Sequence, residues 1–427
     1  MIRYKKSEAH LIRAEITIPL GSQTFSKSRT QYAVGVAPLY ANRANGCHIW
    51  DLDDNEYIDL VSSLASVTIG YNDRKINSAV KKQLSKGVSF SLPGVLEAEV
   101  AELICELVPS AEMVRFGKNG SDATSAAVRL ARAYTARDHV AVCGYHGWQD
   151  WFIGSTTRDK GVPKAVSDLT HSFSYNDLNS LQRIFETIPD IACVVMEPMN
   201  LIYPEPGFLE GVQELTKRYG AVLIFDETIT GFRFSAGGAQ ELFGVTPDLS
   251  TFGKGIANGF PLSAVVGKRE IMMEMENVFI SGTFGGELLS LAAAREVLSR
   301  HKKQDISSEL AEIGINLRQE IEKSIADLQL SGILHFSGHP SWHFLNWTST
   351  TDFTVEELKA YFHQEVYKLG ILVLSTHNVN LAFSKRDIKR VSEAYESVLS
   401  RLSVLIGKGT LRDSLEAKPL SPLFRVR

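Results

Sequence analysis

Short apolar runs punctuate the middle of the chain: HVAVCG, IACVVMEP, AVLIF, LSTFG and LSAVVG. None alternates with polar residues, so each predicts a strand buried on both faces. Between them lie segments whose apolar residues recur at helical spacing, 207–219 among them. DATSAAVRLARAYTA, residues 122–136, has the same spacing, with Ser121 placed to cap its start. Strands alternating with helices over about 95–265 predict an α/β unit, with helices on both faces of a mainly parallel sheet.

Outside that region the pattern changes. NGCHIWDLDDNEYIDL, residues 45–60, predicts two short strands joined around Asp53-Asp54-Asn55. After a long helix near 287–302, Thr354 and Glu357 form a capping box for a helix over 355–369, which Gly370 closes. Another helix follows at about 386–406, and together these predict a smaller α+β domain. The expected division is an N-terminal segment 1–65 belonging to the small domain, a large domain over 66–308, and the rest of the small domain over 309–427.

Composition narrows the function. The 427 residues are 44% hydrophobic and 22% charged, the balance of a soluble globular protein. A net charge of −4 offers no basic face to nucleic acid or an anionic membrane. No apolar run approaches the roughly 20 residues of a spanning helix, and the charged start MIRYKKSEAHLIRAEITIPL lacks a signal-peptide core. Cys47, Cys105, Cys143 and Cys193 are far apart, and three lie in apolar stretches. They predict free thiols in a reducing cytoplasm rather than disulfides or a metal site. His335, His339 and His343 recur like helical metal ligands, but Gly338 and Pro340 interrupt any helix, so strand and turn histidines are expected and no metal.

The candidate chemistry starts at STFGKGIANGFPLSA, where Lys254 stands between Gly253 and Gly255. A phosphate loop needs a hydroxyl after its lysine, and Gly255 removes that reading. A solvated turn lysine and a desolvated, nucleophilic amine remain. Asp226 ends the run AVLIF, at the strand end where open parallel sheets bind ligands. It either pairs with Arg233, caps a helix or faces a ligand. Gly120 and Ser121, at a helix start, offer free N–H groups to an anion or make a plain loop and cap. Tyr145 and His146 follow another strand, placed to stack on a flat ligand or to pack. A lysine for an aldehyde and an anion for a pyridinium are the two fixed points of a pyridoxal phosphate site.

With these residues gathered, the chain resembles the class III pyridoxal-phosphate aminotransferases, in the branch around glutamate-1-semialdehyde aminomutase. The likeness runs from about 19 to 400 and is dense in WDLDDNEYIDL, RFGKNGSDATSAAVRLARAYTARD, YNDL, FDETITGFR, GGAQELFGVTPDL and GKGIANGFPLSAVVGKREIM. It implies a fold type I homodimer with active sites at the subunit interface. It also implies pyridoxal 5'-phosphate as cofactor, passing through pyridoxamine 5'-phosphate, and transfer of an amino group to an aldehyde or ketone by Schiff-base and ketimine intermediates. Lys254 matches the Schiff-base lysine and Asp226 the partner of the pyridine nitrogen. Gly120 and Ser121 match the phosphate-binding turn, Tyr145 and His146 the ring-stacking pair, and Glu197 the glutamate of an EP motif, with Asn200 near the phenolic oxygen. Gly282 and Thr283 match the turn that closes the phosphate cup from the other subunit.

Departures bear on the reaction. The loop DWFIGSTTRDKGVP is shorter than the aminomutase's gating loop, and Lys27 stands where that family places a carboxylate-binding arginine, losing the bidentate fork. Ser375 stands near an acidic position. A short loop favours release of the intermediate, so transamination between two substrates is expected, with intramolecular aminomutase chemistry as the alternative. Lys27, Trp148 and Ser375 are the expected substrate contacts.

Overall fold

The computed structural model describes residues 3–421. They form two compact units: 74–308, and 3–73 together with 309–421.

The larger unit is built on seven strands: β1 (Met113–Gly117), β2 (His139–Cys143), β3 (Thr170–Ser172), β4 (Ile191–Met196), β5 (Val222–Asp226), β6 (Leu249–Phe252) and β7 (Ser263–Gly267). Their order is β1-β7-β6-β5-β4-β2-β3. β3, β2, β4, β5 and β6 pair in parallel, whereas β7 runs antiparallel to both β1 and β6. Direction is invisible in LSAVVG, because an unalternating apolar run reads alike both ways.

Period-two geometry sorts the strand residues onto two faces. Val140, Val142, Cys193, Val195, Val222 and Ile224 pack with the alanines of helix α1 (Gly120–Thr135). Ala141, Cys143, Val194, Met196, Leu223 and Phe225 pack instead with Phe208, Leu209 and Val212 of the helix Phe208–Tyr219. Each fully buried aliphatic side chain contributes roughly 1.5–3 kcal/mol, so the central strands are clamped from both sides. The parallel strands place the carboxyl ends of β2, β4, β5 and β6 along one edge. That edge carries the loops with Tyr145, Glu197, Asp226 and Lys254.

In the smaller unit, Ala41–Asn45, His48–Asp51 and Glu56–Asp59 form an antiparallel meander, to which Ile371–Leu372 adds in parallel. Its turn is held by Asp51, whose Oδ1 accepts from the N–H groups of Asp53 and Asn55, each at 2.9 Å. A second sheet joins Leu334–His339, Trp342–Trp347 and Thr376–Asn378, so His335, His339 and His343 are strand residues. Helix α2 (Val355–Lys368) begins at the Thr354–Glu357 capping box, and α3 (Lys385–Lys408) begins at a similar box of Ser384 and Asp387. Ser62, Ser63, Leu64 and Ala65 all have left-handed backbones, with φ from 44° to 66°. Each such residue costs about 1–2 kcal/mol. Asp59 stabilises the entry to this turn, accepting from the N–H groups of Val61 and Ser62 at 2.7 and 3.1 Å.

Several buried histidines make the fold sensitive to acid. Burial pushes His301 and His363 down to about 4 and His343 to about 3. Among the described residues, neither ring nitrogen of His301 or His343 has a hydrogen-bond partner. The unfolded chain, with histidines near the ordinary 6.5, therefore binds more protons than the folded one below that pH. Stability is fully present above about pH 7 and falls as the pH drops, by about 1.4 kcal/mol per pH unit for each histidine until its folded value is reached. The urea midpoint is expected to be flat between about pH 7 and 8 and to fall steeply between about 6 and 4. A midpoint independent of pH over that lower range overturns this account.

Candidate active site

Asp226 is 5% exposed at the end of β5, and every oxygen it carries is used. Oδ1 accepts from the N–H and hydroxyl of Thr228 at 3.1 and 2.5 Å and from the Thr251 hydroxyl at 3.0 Å. Oδ2 lies 2.9 Å from Nδ1 of His146. Burial alone raises a carboxyl pKa, but the hydrogen bonds from His146 and Thr228 reverse this and hold Asp226 below its ordinary value. His146 Nε2 lies 3.1 Å from the Cys143 carbonyl. Both ring nitrogens thus face acceptor oxygens. The pair is sealed under Trp151, stacked parallel to the imidazole, and Phe152, which meets it edge to face.

Lys254 follows Gly253 at the end of β6 and opens a tight turn, Lys254–Ala257. Its φ is +30°, a left-handed conformation that a non-glycine residue adopts at a cost. Its Nζ makes no hydrogen bond or ion pair among the described residues. Burial pushes its pKa down against the opposing charges of Asp226 and Glu197, with buried Arg233 adding to the lowering. A lysine in this setting is drawn toward the neutral, nucleophilic amine.

The start of α1 lies beside this turn. A Cβ on Gly120 would stand 3.0 Å from Thr228 Cγ2, and one on Gly253 3.1 Å from the same atom. The sequence placed Ser121 as the helix cap, but the structure starts the helix at Gly120, with Asn119 extended at the capping position. Asp122 reaches back to the N–H groups of Lys118 and Asn119 at 3.0 and 2.8 Å, which draws two more residues into the first turn. The N–H groups of Gly120 and Ser121 donate to nothing among the described residues. A helix N-terminus with free donors is an anion site.

Glu197 and Asn200 lie on the same edge. Glu197 Oε2 accepts from the Tyr145 N–H at 3.2 Å and from Asn200 Nδ2 at 2.7 Å, and burial raises its pKa against the neighbouring His146. Tyr145 is half exposed and meets Phe152 edge to face. Thr228, Thr251 and Arg233 also belong to the cluster. The hydroxyls escaped the sequence reading, because Thr251 within an apolar strand looks like an ordinary β former and Thr228 like an ordinary turn residue. Glu227, next to Asp226, points elsewhere: its carboxylate accepts from the N–H groups of Ala239 and Gln240 at 2.7 and 2.8 Å and caps the helix Ala239–Phe243.

The remaining expected residues are scattered. Gly282 and Thr283 are exposed and line a 710 Å³ groove with Lys118, Asp122 and Ser125. No hydrogen bond joins them to Gly120 or Ser121 among the described residues. Trp148 is 64% exposed, and only its backbone N–H is engaged, with Ser121 Oγ at 3.3 Å. Lys27 and Ser375 belong to the smaller unit and line separate cavities there. Lys27 shares a 520 Å³ space with Ser63 and Leu64 of the left-handed turn, while Ser375 shares a 290 Å³ one with His363 and Lys359.

One glycine holds the anion site open. Gly147 has φ +107°, and a Cβ there would stand 2.3 Å from Ser121 Oγ. Gly147→Ala is expected to lose about 1–3 kcal/mol of stability through strain and displacement of Ser121. Gly407→Ala, with nothing within 4 Å of the new methyl, is expected to be neutral or stabilising by up to about 1 kcal/mol. Denaturant unfolding of both variants beside the parent checks the contrast, and equal midpoints contradict it.

The family model for class III aminotransferases matches residues 31–384. The glutamate-1-semialdehyde 2,1-aminomutase of Syntrophomonas wolfei is 42% identical over 317 residues, covering 70% of this chain and 73% of that protein. The 3-aminobutyryl-CoA aminotransferase of Cloacimonas acidaminovorans is 33% identical over 387 residues, covering 88% and 92%. Among solved structures, the internal aldimine form of the FumI protein of Sphingopyxis sp. MTA144 with pyridoxal phosphate superposes with a TM-score of 0.88 at 26% identity, covering 97% of this chain and 99% of that one. The chain belongs to the class III aminotransferase family, with the fold type I architecture of its structural neighbours.

Proposed function

We propose that this chain is a pyridoxal 5'-phosphate-dependent aminotransferase that moves an amino group from a donor to a separate aldehyde or ketone acceptor. The observation that carries the proposal is Lys254: a half-buried lysine whose Nζ has no hydrogen bond or ion pair among the described residues, on strained backbone, beside a buried carboxylate pinned by a histidine. The cofactor fits these groups. Lys254 Nζ is available to its aldehyde, the donors of Gly120 and Ser121 suit its phosphate, and the anionic Asp226 suits a protonated pyridine nitrogen. Pyridoxal phosphate, when bound, supplies an electron sink for the carbanion formed at the substrate carbon.

The protein's part is positioning and proton transfer. Asp226 keeps its charge because His146, Thr228 and Thr251 match it, so it holds a proton on the group it faces. Lys254, as a free amine, removes a proton from the substrate carbon at Nζ and returns one to the acceptor side. Tyr145 offers a half-exposed ring for stacking, and Glu197 with Asn200 lies beside it. Thr283, from a second copy in a homodimer, supplies a further donor for the phosphate. No helix among the described residues is long and apolar enough to cross a membrane, and the buried thiols of Cys47, Cys143 and Cys193 suit a cytoplasmic setting. Aminomutase chemistry is the second reading, favoured by the 42% identity to the Syntrophomonas wolfei protein. The short loop after Trp148 and the lysine at position 27 favour transfer.

Lys254→Ala is expected to reduce turnover by at least about a thousandfold and to abolish borohydride fixation of the cofactor to the chain. Retained fixation would remove Lys254 from the proposed role. Asp226→Asn is expected to lower kcat with little change in KM for the donor, read by steady-state kinetics. Nitrogen-15 in an external donor separates transfer from mutase chemistry: label in the product is expected, and unlabelled product under turnover selects the second reading.

A further inference from the structure

Cys47, His48 and Asp387 converge in the smaller unit, although 339 residues separate the last two. Cys47 Sγ, a ring nitrogen of His48 and a carboxylate oxygen of Asp387 all lie within 4.8 Å of one another. His48 Nε2 is 3.1 Å from Asp387 Oδ1, and on its other edge Nδ1 is 2.8 Å from Glu56 Oε1. The second oxygen of Asp387 is committed to the start of α3, accepting from the N–H and hydroxyl of Ser384 at 2.9 and 2.6 Å. Oδ1 is left facing His48. Cys47 is 1% exposed and the His48 and Asp387 side chains 22% and 14%, so the three donors are shielded from bulk water.

A ligating histidine characteristically turns one nitrogen to the metal while a carboxylate fixes the ring through the other. Glu56 lies on the Nδ1 side, close enough for an ion pair but not aligned for a hydrogen bond, and the Nε2 side meets a thiol and a carboxylate. One sulfur, one nitrogen and one oxygen donor suit a borderline divalent ion. Calcium and magnesium prefer oxygen alone, and the mixed set with a water in the fourth position is that of zinc.

We propose that Cys47 Sγ, His48 Nε2 and Asp387 Oδ1 bind a zinc ion that fastens the strand His48–Asp51 to the first turn of α3. On binding, the Cys47 S–H bond breaks, its proton passes to solvent and the Sγ–zinc bond forms, with no change of oxidation state. The ion ties two segments that are remote in sequence and takes no part in amino transfer.

The test uses the full-length, cofactor-loaded protein after dialysis against a chelator, titrated with zinc chloride and separately with cobalt chloride. One equivalent per chain is expected to bind, cobalt is expected to give a thiolate-to-metal band in the near ultraviolet, and zinc is expected to raise the thermal midpoint. Cys47→Ser is expected to remove the cobalt band, and His48→Gln to weaken zinc binding at least about tenfold. Cys105→Ser is expected to leave both unchanged. The proposal is overturned by a parent protein that gives no thiolate band with cobalt, a result independent of how the variants fold. It is equally overturned by a band that survives Cys47→Ser.

Discussion

A carboxylate buried at the end of an apolar strand organises the larger unit. Leaving Asp226 ionised and unmatched at 5% exposure would cost several kcal/mol, so its surroundings are built as donors. They come from three places: the Thr228 loop that follows β5, Thr251 on the adjacent strand β6, and His146 beyond the end of β2. A single side chain thereby ties together segments that the sheet alone would leave independent. Fixing His146 fixes Gly147, and Gly147 lets the chain pass against Ser121 at the start of α1. The free donors of the anion site are thus positioned by a charge several residues away from them.

Around that anion the titratable groups are driven apart. Asp226 is held low by its hydrogen bonds, Glu197 is raised by burial, and Lys254 is lowered by burial despite two nearby carboxylates. Neighbouring groups with opposed tendencies suit different tasks: one keeps its charge and another gives up its proton more readily than usual. The left-handed backbone at Lys254 belongs to the same economy of positions, because it aims the amine where an ordinary strand-to-turn passage would not.

Much of this was legible in the sequence. The runs around Val142, Val194 and Ile224 named the strands, since only strands buried on both faces lack alternation. Asp226 and Lys254 stood out because each breaks an apolar run at its end. What stayed hidden was direction and distance. The antiparallel course of β7 leaves no trace in LSAVVG, and Asn119 displaced Ser121 as cap because Asp122 reaches back toward it. Thr228 and Thr251 gain meaning only once β5 and β6 lie side by side. Cys47 looked like an isolated thiol because Asp387, its neighbour in space, lies at the far end of the chain. Lys27 and Ser375 looked like companions, yet they line separate cavities.

Glu227 carries a consequence for how β5 finds its place. Two adjacent acids leave the strand in opposite directions, one into the donor cluster of His146 and the threonines, the other into the N–H groups that begin the helix Ala239–Phe243. Sliding the strand by one residue would exchange them. The shorter side chain would then fall short of the helix, and the longer one would crowd the imidazole. An all-apolar strand tolerates such a slip with little penalty, because valine, leucine and isoleucine satisfy either face. The acid pair acts as a two-pin key, making the alignment of a sheet otherwise rich in interchangeable residues unique.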